Sequence, residues 1–193
     1  MAVDDPIGRF RASLERVREQ EPLEGTACVL ATADARGRPS ARYLLLKEAS
    51  ADGFVFFTNY GSRKASELEH NPYAALCFHW PSVQEQVRVE GTVERVPPEA
   101  SDAYFASRPR DSQLGAWASR QSEPVASRDA LEAAMDEVRT RFEGVPVPRP
   151  SYWGGYRLVP DRIEFWYGRS HRLHDRLLYT RTAGGWSCER LAP

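Results

Sequence analysis

Gln86-Val-Arg-Val-Glu-Gly-Thr-Val-Glu-Arg-Val96 alternates, with Val87, Val89 and Val93 on one face and Gln86, Arg88, Glu90, Thr92 and Glu94 on the other. A period of two marks a strand with one buried and one wet face. Upstream, Thr26–Ala33, Ser40–Lys47, Phe54–Thr58 and Tyr73–Trp80 are short β-branched or aromatic runs separated by turn formers such as Asp34-Ala-Arg-Gly37. Downstream, Tyr156–Val159, Arg162–Tyr167, Arg172–Arg181 and Trp186–Arg190 read the same way. Strands joined by such short links pair antiparallel.

Helices interrupt this series at few places. Asp5-Pro6 reads as an N-cap followed by proline at the first helical position, and Phe10, Leu14 and Val17 recur on one face of a helix over Pro6–Gln20. A helix begins after Ser62, another covers Pro98–Ser107, and Ser127–Phe142 carries a stripe of Leu131, Met135, Val138 and Phe142, read as core, that Gly144 ends. Regular β-α alternation is missing, so about eight short strands with peripheral helices predict an α+β fold centred on a closed antiparallel β-barrel rather than a doubly wound sheet.

The 193 residues suffice for one core that removes roughly 70% of the unfolded chain's surface from water, so a single domain over 1–193 is expected, with a proline-rich connector at 144–152. Net charge is −1 and both signs are interspersed, so no nucleic-acid or anionic-membrane footprint is visible and any anion site must be local. The first residues, MAVDDPIGRF, have no apolar leader core, and no stretch approaches the roughly 20 apolar residues of a membrane span, which places the expected location in the cytoplasm. Cys28, Cys77 and Cys188 are odd in number and far apart, which suits reduced packing thiols better than disulfides or metal ligands.

Four constellations can carry chemistry. Arg63 and Lys64 stand in the first turn of the helix after Ser62, where the helix end already carries about half a positive charge; they are either solvated surface cations or the two sides of a phosphate site. In His171-Arg-Leu-His-Asp-Arg176, strand periodicity puts Arg172, His174 and Arg176 on one face, open to solvent screening or to an anionic or electron-rich ligand. Tyr104 and Arg108 share a helix face just before Pro109, with Arg110 and Ser112 beyond it, which fits a phosphate grip or a helix end complemented by bases. Arg42 and Lys47 bracket an apolar strand, and Trp166 is either core or a platform for a flat ring. Dinucleotide, P-loop, nucleophile-elbow and metal-ligand spacings are absent from the sequence.

Taken in order, ARYLLLK, FFTNYGSRKA, QVRVEG, YFASRPRDSQLGAWASRQS, PSYWGGYR, IEFWYG and HRLHDR resemble the pyridoxamine 5′-phosphate oxidase family from about Pro6 to Pro193. The resemblance implies an FMN-binding split barrel that is a homodimer with the flavin between subunits. It matches Arg42, Lys47, Phe57, Thr58, Gln86, Gln121, Ser122, Trp166 and Arg176 to flavin contacts, with Gln121 and Ser122 expected from the opposite subunit, and Arg63 and Lys64 to the cations on the FMN phosphate. Lys47, Tyr104, Arg108 and Ser112 match the residues that hold the substrate phosphate, and Arg172 and His174 match the catalytic pair beside the substrate's pyridine ring. Fuller members carry a basic, tyrosine-containing arm ahead of the first helix that has no counterpart here, and some carry tyrosine where Phe57 stands.

The activity so implied is oxidation of pyridoxine or pyridoxamine 5′-phosphate to pyridoxal 5′-phosphate, with dioxygen as acceptor and hydrogen peroxide as product. Two alternatives keep the fold: a flavin oxidase acting on a phenazine precursor, and a barrel that carries flavin or pyridoxal phosphate without turnover.

Overall fold

The computed structural model describes residues 5–20 and 25–193. Helix α1 (Pro6–Gln20) starts where Asp5 accepts hydrogen bonds from the Ile7 and Gly8 amides, and it buries Ile7, Phe10, Leu14 and Val17. Among the described residues, nine strands follow in one antiparallel sheet: β1 (Ala27–Ala33), β2 (Pro39–Leu45), β3 (Glu48–Ser50), β4 (Gly53–Asn59), β5 (Tyr73–Trp80), β6 (Glu85–Arg95), β7 (Trp153–Tyr167), β8 (Asp175–Thr182) and β9 (Gly185–Leu191). Helices α2 (Arg63–His70), α3 (Pro98–Ser107), α4 (Arg110–Ala118) and α5 (Arg128–Arg141) flank it.

The order β2-β1-β5-β6-β7-β4-β3 curls the sheet, with β8 and β9 added on the far half of β7. The sheet is thus the split barrel that the resemblance implies, and not the closed barrel that the strand pattern alone suggests: the described residues show no pairing between β2 and β3, and the chain itself runs from one to the other through Leu46 and Lys47. Inside the curl, Phe10 meets Phe54 and Phe78 edge-on with ring centroids 4.9 Å apart, and these belong to one apolar core. A second, smaller core of Phe105, Leu114, Phe142, Val147 and Trp153 lies under α3, α4 and α5.

Several expectations need correction. The two strands read at Tyr156–Val159 and Arg162–Tyr167 are one strand, β7, whose irregularity at Pro160-Asp161 is absorbed by a register shift opposite Glu90 and Gly91. Gly91 permits this, because a Cβ there would stand 2.0 Å from the Val159 carbonyl oxygen. The strand read from Arg172 begins only at Asp175, and Ser170–Arg172 is a short 3-10 turn. Helix α5 buries no residue fully, so its stripe is a half-buried flank of the second core and only Phe142, just beyond it, is buried. Cys28 is buried, and burial pushes its thiol up to about 12; Cys188 is exposed on β9 and is no packing residue. No described helix is long and apolar enough to cross a membrane.

Candidate active site

Strand β4 ends in Phe57-Thr58-Asn59, and a tight turn in which Asn59 accepts from the Gly61 amide at 2.7 Å leads directly into α2. That short link folds the first turn of α2 back over the strand end. Lys64 therefore lies 9% exposed, its Nζ donating to Thr58 Oγ1 at 3.0 Å, Ser62 Oγ at 3.3 Å and Gln121 Oε1 at 3.2 Å. All three acceptors are neutral. Burial first, and then the charge of Arg42, push Lys64 from 10.5 down to about 8, with Glu67 opposing.

Beside this turn a cavity of about 610 Å³ opens, within the range of small-molecule sites. Lys47, Phe57, Thr58, Tyr104, Arg108, Ser112 and Gln121 all line it, brought together from the strand-to-strand link after β2, from β4, from α3 and α4 with the link between them, and from the turn after α4. Pro109 disfavours helix at Arg108, which is extended at φ −73° and ψ 148°. The Arg108 guanidinium stacks 4.7 Å from the Trp153 ring centre, burial lowers its pKa, and its buried Nη1 has no hydrogen-bond partner. A desolvated guanidinium nitrogen without an acceptor is an open position for an anion. Arg110, by contrast, donates to the carbonyls of Phe142 and Val145 and faces the α5 end.

Phe57, Tyr104 and Trp153 form a stack, with centroids 4.0 Å apart for the first pair and 5.5 Å for Phe57 and Trp153. Trp153 is a site residue that the sequence reading did not single out. Its signal is the glycine pair after it: a Cβ on Gly155 would sit 2.8 Å from the Phe57 ring, so only glycine lets β7 pass this close under the stack.

Gln121 accepts from Thr58 and Lys64 of its own chain, whereas the resemblance gives it to a flavin held mainly by the other subunit. Ser122 follows it at φ 75°. Arg42 does not line the cavity: it donates to Leu30 O, Thr32 Oγ1, Ser40 Oγ and Glu67, and so is held from behind.

The remaining residues gather elsewhere. Gln86, Trp166 and Arg176 are direct cross-strand neighbours on β6, β7 and β8. His174 packs against Trp166 with ring centroids 4.5 Å apart and planes tilted by 40°, and it accepts the Arg169 amide at Nδ1, 3.1 Å away. His171 and Arg172 have φ of 58° and 60°, a left-handed backbone that non-glycine residues adopt at a cost of about 1–3 kcal/mol each. The expected single strand face of Arg172, His174 and Arg176 is therefore wrong for the first two, which lie ahead of the strand and are positioned by the turn and by the contact with Trp166. Arg176 donates through Nε to Glu164, 4% exposed, which also receives Arg88 at 2.8 Å.

Trp166 and Trp153 stand at opposite ends of β7, about 40 Å apart along the strand contour. One chain thus carries two half-sites, one around Lys64 and Arg108 and the other around Trp166 and Arg176, and the cavity of the first includes no residue of the second.

Comparison with known proteins gives these half-sites a context. Residues 14–142 match the family model described as pyridoxamine 5′-phosphate oxidase, and 153–193 match the pyridoxine 5′-phosphate oxidase C-terminal dimerisation region. The chain belongs to the pyridoxamine 5′-phosphate oxidase family. Relatives named pyridoxine/pyridoxamine 5′-phosphate oxidase include one from Anaeromyxobacter dehalogenans, 56% identical over 100% of this chain and 97% of its own, and one from Rubrobacter xylanophilus, 59% identical over 98% and 87%. Among solved structures, PhzG from Burkholderia lata 383, in complex with tetrahydrophenazine-1-carboxylic acid, superposes with a TM-score of 0.93 at 31% identity, covering 100% of this chain and 94% of that one. An FMN-binding protein from Nostoc punctiforme shares the fold, with a TM-score of 0.78 at 22% identity over the full length of both. The dimerisation region contains Trp166, His174 and Arg176 of the second half-site.

Proposed function

We propose that this chain is an FMN-dependent oxidase that converts pyridoxine 5′-phosphate or pyridoxamine 5′-phosphate to pyridoxal 5′-phosphate, working as a homodimer in the cytoplasm. The observation that carries the substrate reading is the convergence of Lys47, Tyr104, Arg108 and Ser112 on one cavity, with an unpartnered guanidinium nitrogen among them.

FMN fits the residues present. Lys64 is a buried ammonium with only neutral acceptors at the start of a helix, and a phosphate there supplies the missing counter-charge. Arg63 and Lys64 would hold that phosphate, while Thr58, Gln121 and Ser122 would contact the flavin from the same chain. Gln86, Trp166 and Arg176 would reach it from the partner chain, because Trp166 and Arg176 lie on the dimerisation region, Gln86 is paired with Trp166, and none of the three lines the cavity of its own chain. When bound, FMN would supply the two-electron acceptor for oxidation at the C4′ carbon, with dioxygen as the final acceptor and hydrogen peroxide as its product.

The protein's own work is orientation and charge. Arg108, Lys47, Tyr104 and Ser112 fix the substrate's phosphate, which sets where C4′ lies. Arg172, preset by its left-handed turn, positions the pyridine ring. With Nδ1 of His174 accepting the Arg169 amide, the neutral imidazole carries its proton on Nε2 and presents a donor to the substrate. For the amine substrate, water completes the reaction and ammonia is released.

The test compares phosphorylated with unphosphorylated substrate. Hydrogen bonds to a charged group contribute roughly 1.5–3 kcal/mol each, so pyridoxine should lose about 10³-fold or more in kcat/KM relative to its phosphate. Arg108→Ala should narrow that gap. Equal turnover of the two substrates by the wild type, or an unchanged preference in Arg108→Ala, would contradict the assignment.

A further inference from the structure

Glu67 lies on α2 one turn after Arg63 and is 5% exposed. It accepts four donors, divided between its two oxygens. Oε1 takes Arg63 Nε at 2.8 Å, and Oε2 takes Thr32 Oγ1 at 2.5 Å, Ser40 Oγ at 2.6 Å and Arg42 Nη2 at 3.2 Å. Burial raises this carboxyl, but hydrogen bonds from Ser40, Thr32 and Arg63, together with the Arg63 charge, outweigh it and hold it down to about 2. It is therefore ionised at every working pH.

Helix stability does not account for this arrangement. An arginine in the first turn opposes the helix dipole, and a pair with arginine ahead of glutamate is the less favourable order. Arg63 is 65% exposed and spends only Nε on the carboxylate, which leaves the two terminal nitrogens of its fork for an outside anion. Arg42 is gripped by four acceptors, and its charge reaches Lys64. Arg42, Arg63 and Lys64 against Glu67 sum to two positive charges, matching a phosphate that carries about −1.5 to −2 at pH 7.

We propose that Glu67 is a positioning residue for the flavin phosphate, a buried carboxylate that locks the guanidinium groups of Arg42 on β2 and Arg63 on α2 into one cradle with Lys64. This rests on reading the start of α2 as the flavin-phosphate site. Two accounts of Glu67 give opposite signs. As a competing negative charge, it weakens anion binding, and its neutralisation would tighten FMN. As a positioning residue, it orders the fork, and its neutralisation loosens FMN even though the site becomes more positive.

The experiment titrates the flavin-stripped full-length protein with FMN and with riboflavin, following quenching of flavin fluorescence. Glu67→Gln should weaken FMN roughly tenfold or more, the equivalent of one charged hydrogen bond, and leave riboflavin within about twofold, because riboflavin has no phosphate. Unchanged or tighter FMN binding overturns the proposal, as does equal weakening of both flavins, which marks a general loss of structure. Should Glu67→Gln not fold, Ser40→Ala removes one anchor of the same carboxylate and must shift FMN over riboflavin in the same sense. Lys64→Glu separates the two layers: if it too leaves FMN binding intact, the site reading fails; if it abolishes FMN binding while Glu67→Gln does nothing, only the role of Glu67 fails.

Discussion

Replacing Lys64 with Met should stabilise the flavin-free protein and cripple flavin binding. In the folded chain the Lys64 ammonium is buried among neutral acceptors beside Arg42, and its pKa falls from 10.5 to about 8. At about 1.4 kcal/mol per pKa unit, the charged form costs the empty site about 3 kcal/mol. The unfolded chain holds this proton more tightly than the folded one, so the cost is full below pH 8 and disappears as pH rises to 10.5. Thr58 and Gln121 keep their hydrogen bond to each other, so losing the Lys64 donor returns only part of the gain, about 0.5–1.5 kcal/mol as for one typical hydrogen bond. Lys64→Met should therefore raise the flavin-free stability at pH 7 by about 1.5–2.5 kcal/mol in urea unfolding, and the advantage should be gone by about pH 10.5. In the wild type, a bound phosphate restores the proton, so FMN affinity should hold to pH 8 and then fall by up to about tenfold per pH unit, whereas Lys64→Arg should abolish that slope. A Lys64→Met variant less stable than wild type at pH 7, or wild-type FMN affinity flat from pH 8 to 9.5, would refute this reasoning.

Arg172→Ala should lose most of kcat/KM with near-normal flavin content, while Arg176→Ala should be depleted of flavin when its absorbance is measured after purification; normal behaviour of both would mean that the turn and β8 form only a solvated surface. Lys64→Glu and Arg176→Ala chains, each inactive as homodimers, should regain about one quarter of wild-type activity when refolded together, because half the dimers are mixed and each carries one intact site. No recovery would place both half-sites in the service of one chain.

Much of this fold was legible because its strands obey a period of two and its first helix a period near four. The alternation at Val87 and Val89 and the Phe10-Leu14-Val17 face all point into the core. What was hidden has physical causes. Helix α4 buries only Leu114 and has Gly115 at its centre, so no apolar stripe announces it. Pro160 reads as a strand end, yet the register shift opposite Gly91 lets β7 continue through it. The segment from Arg172 alternates like a strand, but His171 and Arg172 take left-handed backbone, which tertiary context imposes and residue type does not signal.

The candidate site residues could be named one by one through a family pattern, whereas the groups that support them in the fold could not. Glu67 and Glu164 look like surface charges in sequence, and only the fold brings two arginines to each. The location of Gln121 beside Lys64 likewise depends on how the chain after α4 returns to β4, which no local spacing encodes.

The most direct test of the central claim is aerobic incubation of the purified flavin-loaded dimer with pyridoxine 5′-phosphate, following aldehyde and peroxide together. Pyridoxal 5′-phosphate and hydrogen peroxide should form in equal amounts over many turnovers. A flavin-loaded dimer that forms neither from pyridoxine or pyridoxamine 5′-phosphate, yet oxidises a reduced phenazine carboxylic acid, would contradict that claim.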